Sequence, residues 1–222
     1  AFNVEQSERI SPFRGIRYNQ RKVGDLAKII CPPYDVITLE QQKIYYQRSD
    51  YNAIRLEYMM EQPGDDAADN KYVRAATTFR QWLKRGILQV DDYPAFYLHD
   101  HYFTYLGEER VQRGVVARVK LAPWGDGIYP HEETTSTAKS DRLQLMQACR
   151  ANISPLFTLY QDLGGKITSI LDKMAQGSPI ISLRSVEALS EAKEKAVNLP
   201  DSGEGHTVWA ITDQKLKQQL GR

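Results

Sequence analysis

Ala95-Phe96-Tyr97-Leu98-His99-Asp100-His101-Tyr102-Phe103-Thr104-Tyr105 is the strongest strand signal in the chain. Aromatic residues recur along it in alternation with polar ones, the pattern of a strand with one face buried. Leu106-Gly107-Glu108-Glu109 follows as a turn, and Arg110 to Leu121 reads as the antiparallel return. This hairpin decides the class: α+β, a mixed and largely antiparallel sheet with a long aromatic hairpin and flanking helices. His99 and His101 share one face of the strand. Such a pair can ligate a metal, but no cysteine and no acidic third ligand accompanies it in the sequence. It is read as a polar sheet face, and no metal site is expected.

Upstream of the hairpin, Asp69 to Lys84 places Tyr72, Ala75, Ala76, Phe79, Trp82 and Leu83 at three- and four-residue steps. That is an amphipathic helix packed on the sheet, with Gly86 as its C-terminal cap. Asn52 to Tyr58 alternates and is expected to be a strand, its Arg55 and Glu57 forming a surface pair. Thr38 is a good N-cap with Gln41 at the capping-box position, opening a helix through about Arg48. Before it, Pro32 and Pro33 forbid a helix and present Tyr34 and Asp35 from a stiff segment. Ser11 to Tyr18 reads as a short strand.

Downstream, a helix is expected over about Asp141 to Asn152, with Ser140 and Asp141 at its N-cap and first turn. Then come a strand at Pro155–Tyr160 and a helix at Lys166–Gln176 ended by Gly177. A strand at Pro179–Val186, a helix to Val197, a strand at His206–Ile211 and a final helix from Gln214 to Leu220 capped by Asp213 complete the reading. Residues 1–222 are expected to form one α+β domain with a possible subdivision near 122–130. A strand followed by one short helix at the end suggests the N-terminal part of a longer protein.

A formal net charge of +1 gives no electrostatic case for a nucleic-acid surface. No apolar run is long enough to cross a membrane and no signal peptide is visible, so the cytoplasm is the default. Cys31 and Cys149 lie far apart and outside any metal-ligand spacing, and are read as buried thiols.

The chemistry is concentrated between Gly125 and Arg142, where turn-formers lead through His131, Glu132, Glu133 and Thr134 to Lys139, Ser140, Asp141 and Arg142. Unpaired N–H groups at a helix start, reinforced by a lysine and an arginine, suit an anion. The same residues also suit an ordinary helix cap and a solvated loop.

Cys31-Pro-Pro-Tyr-Asp-Val-Ile37, Trp82-Leu-Lys-Arg-Gly-Ile-Leu88 followed by Tyr93-Pro-Ala-Phe-Tyr97, His131-Glu-Glu-Thr134 with Lys139-Ser-Asp-Arg142, and Asn152-Ile-Ser-Pro-Leu-Phe157 occur here in one order. Together, across roughly residues 11 to 213, they resemble the bacterial and archaeal family known as domain of unknown function 1015. The resemblance implies a longer protein whose later segment carries an Asp-Gly-His-His-Arg signature like that of ParB- and sulfiredoxin-like nucleotide-using proteins. That signature is absent here. Through it, the resemblance extends to ParB-like free serine kinases and implies phosphoryl transfer to a small hydroxyl compound.

On that reading Lys139, Ser140, Thr134 and Arg142, with Arg55 as a more distant candidate, hold a nucleotide. The donor is ATP or another phosphate donor with Mg²⁺. Glu132, Glu133 or Asp35 coordinates the ion or takes the acceptor proton, and His131 is suited to the second task. The alternative is a non-catalytic module that binds a small molecule or a partner, including a second copy through a sheet edge beside His206–Ile211.

Overall fold

The computed structural model describes residues 9–130, 132–183, 204–214, 217 and 220. In chain order it contains β1 (Ile10–Ser11), β2 (Ile16–Tyr18), α1 (Gln20–Val23), a 3-10 turn at Tyr34–Val36, α2 (Leu39–Arg48), α3 (Ile54–Glu57) and α4 (Lys71–Lys84). There follow β3 (Leu88–Val90), β4 (Phe96–Tyr105), β5 (Glu108–Val116), β6 (Arg118–Val119), α5 (Ser136–Cys149), α6 (Lys166–Met174), β7 (Ile181–Leu183) and β8 (Gly205–Ile211). Every sheet among the described residues is antiparallel, and the largest has the order β5–β4–β8–β7. The fold is α+β.

The hairpin that decides the class is present. Its two-residue loop places Leu106 at φ 53° and Gly107 at φ 80°. Two positive φ angles make a turn whose twist matches that of the strands it joins. Alternation then sorts β4 into two faces. Phe96 and Leu98 point under the sheet and pack with Trp209 and Ile211 of β8 against Ile170, Leu171 and Met174 of α6. Asp100 lies on the same inner face, and His99 and His101 lie on the other. A second cluster joins α3, α4, β3 and α5 through Leu56, Phe79, Trp82, Leu88, Leu145 and Cys149. The predicted capping box is formed, with Thr38 and Gln41 bonding each other's backbone N–H.

Several expectations are corrected. Residues 52–58 form no strand. Asn52, fully buried, donates to the carbonyls of Lys28 and Ile30 and accepts from the Ile54 N–H, which turns the chain into α3 instead. Arg55 and Glu57 do not pair: Arg55 stacks on Tyr46 and reaches Asp50, while Glu57 faces α5. Residues 155–160 pair with no strand among the described residues. Helix α5 begins at Ser136 under a Thr135 cap, not at Ser140–Asp141.

Strand β8 is not an edge. β4 flanks one side and β7 covers His206 to Val208 on the other. Cys149 is buried and Cys31 half-buried, and the two form no disulfide with each other. The helix expected up to Val197, and the strand beyond Leu183, fall outside the described residues. At the C-terminal end, Gln214, Lys217 and Leu220 have helical backbone, and the Lys217 N–H donates to the Asp213 carbonyl.

One close approach locks β2 to the hairpin. The Gly15 N–H donates to the Tyr97 hydroxyl at 2.7 Å, and that hydroxyl donates to Asp91 at 2.7 Å. Burial and the bond to Asp91 push the Tyr97 phenol up to about 12. A Cβ on Gly15 would stand 2.6 Å from the Tyr97 oxygen and 2.7 Å from its ring. Gly15→Ala is therefore expected to displace a buried ring and lower stability by about 1–3 kcal/mol. An unchanged urea midpoint would refute that account.

Candidate functional site

Helix α5 starts early because Thr135 takes an extended conformation and its hydroxyl accepts from the Ala138 N–H at 3.3 Å. The shift puts Lys139, Ser140, Asp141 and Arg142 in the second turn, where Asp141 faces α4 and Arg142 faces the loops. The Arg142 guanidinium donates to Asp141 from Nε at 3.0 Å and from Nη2 at 2.5 Å. Its Nη1 reaches Glu57 at 3.4 Å and the Ser154 hydroxyl at 3.3 Å, and its plane lies 3.9 Å from the Tyr34 ring centre. Ser154 in turn donates to the second Glu57 oxygen at 2.7 Å.

On the other side of Asp141, Tyr72 donates to the carboxylate at 2.7 Å and the Lys71 ammonium stands 3.2 Å away. Lys71 also pairs with Glu61 at 2.9 Å. Burial alone would raise the Asp141 carboxyl, but bonds from Arg142, Tyr72 and Lys71 outweigh it and hold it below the usual range. Burial likewise opposes the Lys71 charge, and its two carboxylate partners more than reverse that. Arg142 and Lys71 face three carboxylates, Glu57, Glu61 and Asp141. The cluster satisfies its own charge, so Arg142 is a clamp between segments and not an unoccupied anion ligand.

Beside it, a cleft of about 480 Å³ opens between the start of α4 and the first turns of α5. Its lining includes Lys71, Tyr72, Ser136, Thr137 and Ser140. The N–H groups of Ser136 and Thr137 head the helix with no carbonyl one turn back within it. Here the expected anion geometry and a recess coincide.

The sequence candidates divide accordingly. Ser140 lines the cleft, and its hydroxyl accepts from Gln144. Lys139 is exposed on α5, and its side chain has no hydrogen-bond or ion-pair partner among the described residues. Glu132, Glu133 and Thr134 lie exposed on the approach to α5. His131 lies outside the described residues. Asp35 is exposed next to Tyr34, whose ring touches Arg142. Arg55 belongs to the α2–α3 junction and takes no part.

The family model described as "Protein of unknown function (DUF1015)" matches residues 10–222. The chain belongs to the DUF1015 family. No curated protein and no solved structure matches it. Three of the segments that carry the DUF1015 resemblance meet at one guanidinium: Tyr34 from the first, Asp141 and Arg142 from the third, Ser154 from the fourth. Glu57, Lys71 and Tyr72 complete the cluster and were not singled out as site residues from the sequence. Glu57 was hidden by the strand reading of its segment, and Tyr72 by its place in an apolar helix stripe.

Proposed function

We propose that this chain belongs to a nucleotide-dependent phosphotransferase acting on a small hydroxyl compound such as free serine, as in ParB-like serine kinases. The observation that carries the reading is the recess at the head of α5, bordered by the hydroxyls of Tyr72, Ser136, Thr137 and Ser140 together with Lys71 and Asp141, and braced by the Arg142 clamp. Phosphoryl transfer depends on holding and neutralising phosphate oxygens more than on covalent chemistry. The N–H groups of Ser136 and Thr137 would supply donors, and the charge would come from Lys139, because Lys71 is already neutralised by Glu61 and Asp141. Glu132 and Glu133 approach the same helix end with carboxylates suited to Mg²⁺. No helix among the described residues is long and apolar enough to cross a membrane. The reading puts the protein in the cytoplasm, where ATP is made available to soluble enzymes.

The test is a thermal-shift titration with ATP, ADP and pyrophosphate, each with and without Mg²⁺. At a ligand concentration of about 100 Kd, binding to the folded state adds about 2.7 kcal/mol, a rise of roughly 5–10 °C for a chain of this size. The rise is expected to need Mg²⁺ and to shrink in Lys139→Ala. Absence of a shift with all three ligands would sink the reading.

The competing reading is a module that binds a partner. It is favoured by a segment outside the helices and strands whose Leu156, Leu159 and Leu163 are 93%, 83% and 91% exposed, with Phe157 and Tyr160 beside them. Contiguous exposed apolar side chains mark interaction surfaces. No ligand shift together with a dimeric mass in solution would select it.

A further inference from the structure

The histidine pair read from the sequence as a polar sheet face has acquired partners from the far end of the chain. Strand register sets His206 of β8 directly opposite His101 of β4. The three rings form a triangle, the His206 centre 4.8 Å from that of His101 and 5.3 Å from that of His99. Glu204, just ahead of β8, brings Oε2 to 3.1 Å from His101 Nε2. One donor atom each from His101, Glu204 and His206 lies within 4.8 Å of the others. The acidic third ligand missing from the sequence reading is therefore present, contributed across two strands.

A second observation points into the same spot. His101 Nε2 is shielded from solvent and makes no hydrogen bond among the described residues, although Glu204 Oε2 stands 3.1 Å away. A shielded imidazole nitrogen facing a carboxylate and a second imidazole is a donor set suited to a cation. We propose that His101, His206 and Glu204 bind one divalent transition-metal ion, Zn²⁺ by the character of the donors, and that His99 positions His206.

Two imidazoles and one carboxylate form the three-ligand set of zinc sites that keep a fourth position for water or substrate. An all-oxygen cation such as Ca²⁺ or Mg²⁺ has no call for two nitrogens. Ligands sharing a tetrahedral zinc stand roughly 3.4 Å apart; His101 Nε2 and Glu204 Oε2, at 3.1 Å, already have that spacing, so loading needs only His206 to close in. His99 Nε2 lies 3.1 Å from His206 Nδ1. With the proton on His206 Nδ1 and donated to His99, the His206 Nε2 lone pair is turned toward the ion, the usual arrangement behind a ligating histidine. This site is on the sheet, contains none of the residues lining the α5 cleft, and stands whether or not the phosphotransferase reading does.

The test uses the tag-free 222-residue chain, stripped with a chelator and titrated with Zn²⁺ against a chromogenic competitor, then with Co²⁺ by absorption. One equivalent of Zn²⁺ should bind, and Co²⁺ should give the visible bands of low-coordinate cobalt. His101→Ala and His206→Ala are each expected to weaken binding by more than about 100-fold, and His99→Ala by about 10- to 100-fold. His99→Gln, which keeps an acceptor, should recover part of that loss. Nitrogen NMR of the wild-type apo chain should show the His206 proton on Nδ1. Far-UV circular dichroism verifies each fold; should a histidine variant unfold, Glu204→Gln, ahead of the strand, replaces it and should weaken binding. A folded wild-type chain that takes up no Zn²⁺, or undiminished binding in a folded His101→Ala/His206→Ala double variant, overturns the proposal.

Discussion

Asp100→Ala is expected to cost about 3–5 kcal/mol, the largest loss from any single surface-distant polar substitution here. The Asp100 side chain is 1% exposed and receives Arg113 on both oxygens, at 2.7 and 2.6 Å. Arg113 also reaches Asp172 of α6 at 2.6 Å, so one guanidinium ties β5 to β4 and to the helix beneath. The bonds to Asp100 lead in raising its basicity, against burial. Removing the carboxylate leaves Arg113 with Asp172 as its remaining partner, beside the Thr207 hydroxyl, which has no partner among the described residues. The double change Asp100→Leu with Arg113→Met should recover most of the loss, because it removes both charges and keeps apolar volume. Equilibrium urea unfolding measures both, and a double variant no better than Asp100→Ala alone would disprove the account.

Arg142→Ala comes next, at about 2–4 kcal/mol, discounted because its partners retain some solvent contact. Without the guanidinium, Glu57 and Asp141 lose their shared counter-charge and the Tyr34 ring loses the plane stacked on it. Arg142→Lys should restore little, since an ammonium can neither fork onto Asp141 and Glu57 nor stack. A coupling energy above about 1 kcal/mol between Arg142→Met and Glu57→Gln is the expected signature of the clamp. If Arg142→Ala leaves the unfolding midpoint within error of wild type, the segments are held by something else.

What the sequence disclosed follows from physical range. The hairpin was legible because its strands and turn are neighbours, and alternation plus a Gly-containing loop is a local signal. Helix α4 was legible for the same reason, its apolar stripe being unbroken from Tyr72 to Leu83. The segment 52–58 misled because one helical turn and a short strand share a two-step apolar pattern over so few residues, and what decides between them is Asn52 bonding to Lys28 and Ile30.

Residues 155–160 alternate well but meet no partner strand, and alternation does not guarantee pairing. The start of α5 was misplaced because several hydroxyl residues in a row are all plausible caps, and the exposed first turns carry no apolar period to choose among them. Of the cluster and cleft, Ser140 and Arg142 were among the sequence candidates, while Glu57, Glu61, Lys71 and Tyr72 were not. Glu57 and Glu61 come from other elements, and only the packing of α3 and α4 on α5 brings them there.

The placement of β8 has a consequence for how the chain reaches its fold. Its contacts with β4 join residues 107 positions apart, as between His99 and His206. The β4–β5 ribbon closes through a two-residue loop, so it forms early, whereas its other edge must wait for a distant segment. Until β8 arrives, one edge of β4 presents unpaired backbone, and the Phe96 and Leu98 side chains lack Trp209 and Ile211. That interval is when a second ribbon competes for the same edge, and it marks slow refolding at high concentration as the setting in which this chain is most exposed to misassembly.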